Sequence, residues 1–134
     1  FLMTLDQSVG LVLHAMQHAT GGEIFVRKAP ASTIEKLAEA VCQKFSPKGT
    51  DHPIDVIGIR LGEKLHETLV NEYEMQRITE EELFYAIHPE YHVPDHRAEQ
   101  SLGTEYTSNN TRQLKSAADI KLLLDKMGEV ELYI

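Results

Sequence analysis

Gly58-Ile59-Arg60-Leu61-Gly62-Glu63-Lys64-Leu65-His66-Glu67 follows an apolar run, Ile54 to Ile59, broken only by Asp55 and Gly58. The run predicts a largely buried strand over 54–60, and a tight Arg-x-Gly-Glu-Lys turn leaves its end. Arg60 at a strand exit offers a rigid fork of donors suited to phosphate oxygens. Gly62 allows backbone angles that a side chain would forbid, so a ligand can approach closely. Glu63 can accept hydroxyl hydrogens of the kind a ribose supplies, and Lys64 adds a second positive charge. On local sequence alone the same residues also describe a surface Arg–Glu pair, which is common and weak.

Upstream of this stretch, Thr4-Leu5-Asp6-Gln7 has the pattern of a capping box. Leu5, Val9, Val12, Leu13 and Met16 then recur at helical spacing until Gly21-Gly22, which predicts a helix over 4–19. Ile24-Phe25-Val26 predicts a strand over 23–28, buried on both faces. Ser32-Thr33-Ile34-Glu35 reads as a second capping box, opening a helix over 32–45 carried by Ile34, Leu37, Ala38, Val41 and Phe45 and stopped before Pro47. The order helix, strand, helix, strand over 1–60 is that of an α/β layered fold. Residues 61–115 read as irregular strand and loop, with an acidic Thr79–Glu82, a short strand at Leu83–Ile87 and a loop over 88–103 containing Pro89 and Pro94. Ser116 caps a last helix, 116–127, with Ile120, Leu123, Leu124 and Met127 inward and Gly128 as its stop. The whole of 1–134 is expected to be a single region without internal repeats. Phe1-Leu2-Met3 is apolar and lacks an initiator Met, and is expected to be a strand cut in the middle of a longer protein.

Composition narrows the function classes. The 134 residues suffice for one domain with a real core. With 21 acidic and 13 basic residues the formal charge is −8, which argues against non-specific binding to nucleic acid or anionic membrane. A phosphate site must then be made of a few placed cations. No apolar run approaches the roughly 18 residues of a membrane span, and no signal peptide is visible, so a cytoplasmic protein is expected. The single cysteine, Cys42, excludes an internal disulfide and reads as a small core residue.

Other candidates are weaker. Lys28 ends a predicted strand just before the cap at Ser32, a joint that can present a cation and backbone N–H groups to phosphate; without a Gly-rich loop it also fits a solvated strand end. His14 and His18, and the trio His88, His92 and His96, are each spaced by four. Pro89 and Pro94 break any helix that would align the trio, and a structural or solvent role is the expectation for all five, with no metal site. His66 follows the Arg60 turn. Tyr106-Thr107-Ser108-Asn109-Asn110-Thr111 is a dense polar run whose side chains are natural turn caps. No Gly-x-Gly-x-x-Gly loop follows a strand, no Tyr-x-x-x-Lys pair exists, and no catalytic set can be assembled from spacing.

Four stretches carry a resemblance, in order along the chain: Phe1 to Val9, Gly22 to Ile34, Gly58 to Glu67, and Glu105 to Thr111. Together they resemble the C-terminal, substrate-binding part of the polysaccharide-biosynthesis branch of the extended short-chain dehydrogenase/reductases, a Rossmann-type fold whose Rossmann half is missing here. Within that branch they are most similar to the inverting UDP-N-acetylglucosamine 4,6-dehydratases of capsule, O-antigen and flagellin-sugar pathways. The resemblance implies that the missing half holds NADP and transiently oxidises the sugar at C4, while this half covers the UDP moiety. It implies a diphosphate contact for Arg60 and a nucleotide contact for Glu63; Lys28 and, less directly, Ser32, His66 and Asn109 are further candidate UDP-sugar contacts. It implies no catalytic residue in this chain and a homo-oligomer for the full-length protein. A UDP-sugar 4-epimerase of the same branch fits the residues as well, because the deciding groups lie in the other half; a non-catalytic UDP-sugar-binding module is the further alternative, against which the expected cut strand at Phe1 speaks.

Overall fold

The computed structural model describes residues 1–48, 51–91 and 105–126. The expectations for His92, His96 and Pro94, for the rest of the loop beyond 91, and for Met127 and Gly128 lie outside these residues.

Local signals fix the helix starts. Helix α1 (Leu5–His18) opens at Thr4, whose hydroxyl accepts from the Gln7 amide at 3.2 Å while the Gln7 side chain accepts from the Thr4 amide at 3.0 Å. Helix α2 (Ile34–Phe45) is capped by Thr33, which accepts from the Lys36 amide at 3.3 Å. Ser32 is not the cap, contrary to the sequence reading. Ala31 is bridged to Gln113, and the Ser32 hydroxyl is thereby carried to the Leu114 carbonyl at 3.2 Å.

Two small antiparallel sheets follow. Strands β1 (Ile24–Arg27), β3 (Ile78–Glu80) and β4 (Phe84–Ile87) form one sheet in the order β1-β4-β3. Strands β2 (Thr68–Val70) and β5 (Tyr106–Thr107) form the other. The short strand expected at Leu83–Ile87 is the central one, and Phe84, Ala86 and Ile87 are buried. β1 was expected to be buried on both faces, but it is an edge strand with Ile24 exposed. Helix α3 (Glu72–Met75) links β2 to β3, and α4 (Ala117–Asp125) closes the described chain behind a Ser116–Asp119 capping box.

The strand expected over 54–60 is absent. Gly58 has φ +76°, which turns the backbone out of the extended region, and no strand pairs with the segment. Its apolar side chains are exposed, Val56 at 93%. Phe1–Met3 is likewise no strand: a bond from the Leu2 amide to the Pro30 carbonyl, 2.8 Å, ties it to the chain beside β1 without a ladder. The apolar stripe of α1 also departs from expectation. Leu5, Val9, Val12, Leu13 and Met16 are exposed, and His14 is the residue that stacks on the sheet, 4.1 Å from the Phe84 ring. On α2, Ile34, Val41 and Phe45 are exposed while Ala40 is buried.

Burial is concentrated in two clusters. Val70, Met75, Ile87 and Tyr106 pack together from both sheets and α3, with Val26, Ile78, Tyr85 and Phe1 around them. Ala40, Leu114 and Ile120 join α2 to α4. Among the described residues no helix is long and apolar enough to cross a membrane.

Candidate functional site

Arg60 to Glu63 forms a closed turn. The Glu63 amide donates to the Arg60 carbonyl at 3.1 Å, and Gly62, at the third position, has φ +89°, as a type II turn requires. The Glu63 carboxylate reaches back and its Oε2 accepts from the Arg60 amide at 2.9 Å. Sequence pairs the two residues through their charges, whereas the structure pairs them through the backbone. Among the described residues no ion pair involves the Arg60 guanidinium. The turn is exposed throughout, as is His66 just beyond it.

The other candidates stand elsewhere and are already engaged. The Lys28 ammonium donates to Glu80 Oε1 at 2.7 Å and to the Glu81 carbonyl at 2.5 Å, and lies 4.7 Å from the Tyr85 ring centre. Asn109 accepts from the Thr107 hydroxyl, and the Asn110 side chain accepts from the Thr107 amide at 2.9 Å and donates to the Glu105 carbonyl at 2.8 Å. The polar run is thus a self-capped turn.

What the structure adds is a junction that local sequence does not show. Glu67, at the end of the Arg60 stretch, exchanges bonds with Ser108: the Ser108 amide donates to its carbonyl at 2.8 Å, and its amide donates to the Ser108 hydroxyl at 3.0 Å. The hydroxyls of Tyr106 and Thr111 both donate to the Ala29 carbonyl, at 3.1 and 2.8 Å. Ala31 exchanges backbone bonds with Arg112 and Leu114 at 2.9 and 2.8 Å. Phe1 packs on the Tyr106 ring with centres 5.3 Å apart, and Leu2 is tied to Pro30. The four stretches that carry the resemblance therefore meet around residues 105–114. Tyr106 is the centre of that junction, and its one sequence signal is an aromatic residue opening a polar run. Beside the junction lies a cleft of about 860 Å³ lined by Arg27, Lys28, Tyr85, Asn110 and Arg112 among others. Burial, then Glu80 and Tyr106, push the Tyr85 phenol above its ordinary range. Neither Arg60 nor Glu63 lines this cleft.

His14 Nε2 is 3.1 Å from Glu81 Oε2, and its ring is stacked between His18 and Phe84, a packing role. The Thr79 hydroxyl pairs with His88 Nε2 at 2.8 Å. Among the described residues no group of three His, Cys, Asp or Glu side chains is placed to hold a metal. These residues do not fit a nicotinamide dinucleotide either. Gly21 and Gly22 precede a strand, and Gly58 and Gly62 lie in an exposed segment that opens no helix, so among the described residues no glycine loop leads from strand to helix to cradle a pyrophosphate.

Residues 1–89 match the family described as polysaccharide biosynthesis protein. A UDP-glucose 4-epimerase of Rickettsia typhi is 39% identical over 96% of this chain and 40% of its own length. That of Rickettsia akari is 40% identical over 92% of this chain and 38% of its own. The X-ray structure of Pen from Bacillus thuringiensis superimposes with a TM-score of 0.71 at 28% identity, over 94% of this chain and 36% of that one. The chain thus spans about 40% of the length of the curated relatives it matches.

Proposed function

The chain belongs to the polysaccharide-biosynthesis family of extended short-chain dehydrogenase/reductases, and on that footing we propose that it supplies UDP-sugar contacts to a nucleotide-sugar-modifying enzyme. The observation that carries this reading is the match along 96% of the chain to a relative named UDP-glucose 4-epimerase. The relatives' names favour epimerisation at C4. The 4,6-dehydration of UDP-N-acetylglucosamine is the second reading, favoured by the likeness of the four stretches to that group. In either case Arg60 takes the diphosphate and Glu63 contacts the nucleotide. Lys28, already paired with Glu80, contributes less than Arg60, and Ser32, His66 and Asn109 stand farther down the order. When bound, a nicotinamide dinucleotide, NADP or NAD, supplies the redox chemistry from outside this chain. Binding energy gathered on the UDP moiety positions the reacting carbon against it. A cytoplasmic homo-oligomer completes the reading.

Two measurements test it. In calorimetric titrations Arg60→Lys should weaken UDP binding by roughly 1.5–3 kcal/mol, one to two decades, since a point cation cannot bridge two phosphate oxygens. Unchanged affinity would return Arg60 to an ordinary surface charge. Substituted for the matching segment of the Rickettsia typhi relative, the chain should support conversion of UDP-glucose to UDP-galactose. Formation of a 4-keto-6-deoxy sugar from UDP-N-acetylglucosamine would establish the dehydratase instead. UDP binding with neither product would establish a non-catalytic module.

A further inference from the structure

Helix α1 keeps its apolar stripe outside and meets the three-stranded sheet through a stack of rings. The His14 ring lies face to face with Phe84 at 4.1 Å and with His18 at 4.2 Å, and edge-on to Phe25 at 5.4 Å. A carbonyl only accepts, so His18 Nδ1 donates to the His14 carbonyl at 2.9 Å, which fixes the second ring over the first. Charge around the stack is unequal. From the turn between β3 and β4, Glu81 Oε2 stands 3.1 Å from His14 Nε2, without the alignment of a hydrogen bond. From β1, the Arg27 guanidinium lies 5.4 Å from the Phe84 ring centre, while Lys28 and Glu80 pair with each other. β4 contributes the uncharged Phe84. One carboxylate is thus set against a fixed cation and two rings that charge in the same pH range, and it can offset a single imidazolium. With both rings charged, like charges sit 4.2 Å apart, and the His14 side chain is only 17% exposed to water that would screen them.

We propose that the His14–His18 stack is a pH-sensitive latch: it holds the end of α1 on the sheet while at most one ring is charged, and lets go when both are. Undocked, the two rings are free to turn apart into water, so the open helix takes up the second proton more readily than the docked one. Docking is therefore complete above the histidine range and is lost as pH falls through it. The neighbouring Thr20–Glu23 turn does not open in that range, because the Glu23 carboxyl is held down to about 2. The latch is independent of any role for Arg60.

Amide hydrogen exchange of the full chain reads the latch, with protection over residues 14–20 referred to α2, which contains no histidine. Between about pH 7.5 and about pH 5 that protection should fall by at least about fivefold once the intrinsic pH dependence of exchange is divided out, the effect of two like charges ~4 Å apart even in bulk water. His18→Gln changes an exposed position and removes the second charge, so its protection should stay constant across the range. His14→Phe, which keeps a ring in the stack without a proton to gain, should do the same. Glu81→Gln should deepen the fall, since nothing then offsets the first charge. No fall in the wild type would overturn the latch. So would a fall of wild-type size in His18→Gln, which would trace the change to His14 alone. A fall of only wild-type size in Glu81→Gln would remove the charge balance on which the latch rests, and the latch with it.

Discussion

At the entrance to β1, the Glu23 carboxylate accepts from the Thr20 hydroxyl, the Gly21 amide at 2.7 Å and the Thr20 amide at 3.1 Å. The Thr20 hydroxyl, then the Gly21 amide, hold its pKa down from 4.5 to about 2. A carboxylate depressed on folding stabilises the folded chain fully above its unfolded pKa, and that contribution is lost as pH falls through the folded value. The window is therefore about pH 4.5 down to about 2. A carboxyl-carbon NMR titration should place the Glu23 midpoint near 2, and Thr20→Val should move it back toward 4.5. A midpoint unmoved by Thr20→Val would remove the hydroxyl as the cause. Asp119 is lowered in the same sense, first by the Ser116 hydroxyl that it pairs with at the start of α4. Such devices close over three residues, which is why Thr4–Gln7 and the Ser116 cap were legible in the sequence. Asn71–Glu74 has the same pattern and caps α3, but with a single turn behind it no hydrophobic periodicity drew attention to it.

Among the elements, β4 is the one on which the sheet depends. It pairs with β1 and β3 at once, and Ile87, 2% exposed, lies opposite both Ile24 and Ile78. Ile87→Ala should cost about 2–5 kcal/mol, as truncations of enclosed aliphatic side chains do, read as a lowered midpoint in urea unfolding. A loss below about 1 kcal/mol would mean that the site collapses around the smaller side chain. Apolar content made β4 visible in the sequence. Its neighbour β3 was not, because Ile78-Thr79-Glu80 is short, half-polar and exposed on two of its three residues. The opposite error befell 54–60, where an apolar run was read as burial. A strand needs a partner, a non-local fact that no window of sequence contains, and Gly58 at φ +76° interrupts the extended backbone besides. Arg60 was therefore placed correctly in a Gly62 turn and incorrectly at a strand's end. The convergence of four separated stretches on residues 105–114 was not legible in the sequence, since it rests on contacts between residues as far apart as Phe1 and Tyr106.

For the molecule as a whole, the governing feature is apolar surface on the outside. Val56, Ile57, Ile59, Leu61 and Leu65 make one exposed run, and Leu5, Val9, Val12, Leu13 and Met16 make a helical stripe, while the buried apolar clusters among the described residues are small. Exposed apolar surface of this extent is rare on monomers and marks an interaction surface or an aggregation liability. Relatives some two and a half times longer than this chain have further protein with which to cover it. The formal charge of −8 opposes association, but screening confines its reach to about 10 Å at 0.1 M salt, whereas apolar attraction persists. The isolated chain should therefore self-associate, and more strongly as salt rises. Sedimentation velocity at rising protein concentration should show a growing fraction above monomer. Replacing Val56, Ile57 and Leu61 together by Ser should restore a monomer if the exposed run is responsible, and leave the Ile87 core untouched. A monodisperse wild-type monomer with a sharp cooperative melt would count against this. It would mean that the apolar run is tolerated in water as it stands, and would favour the free-standing binding module over the portion of a larger enzyme.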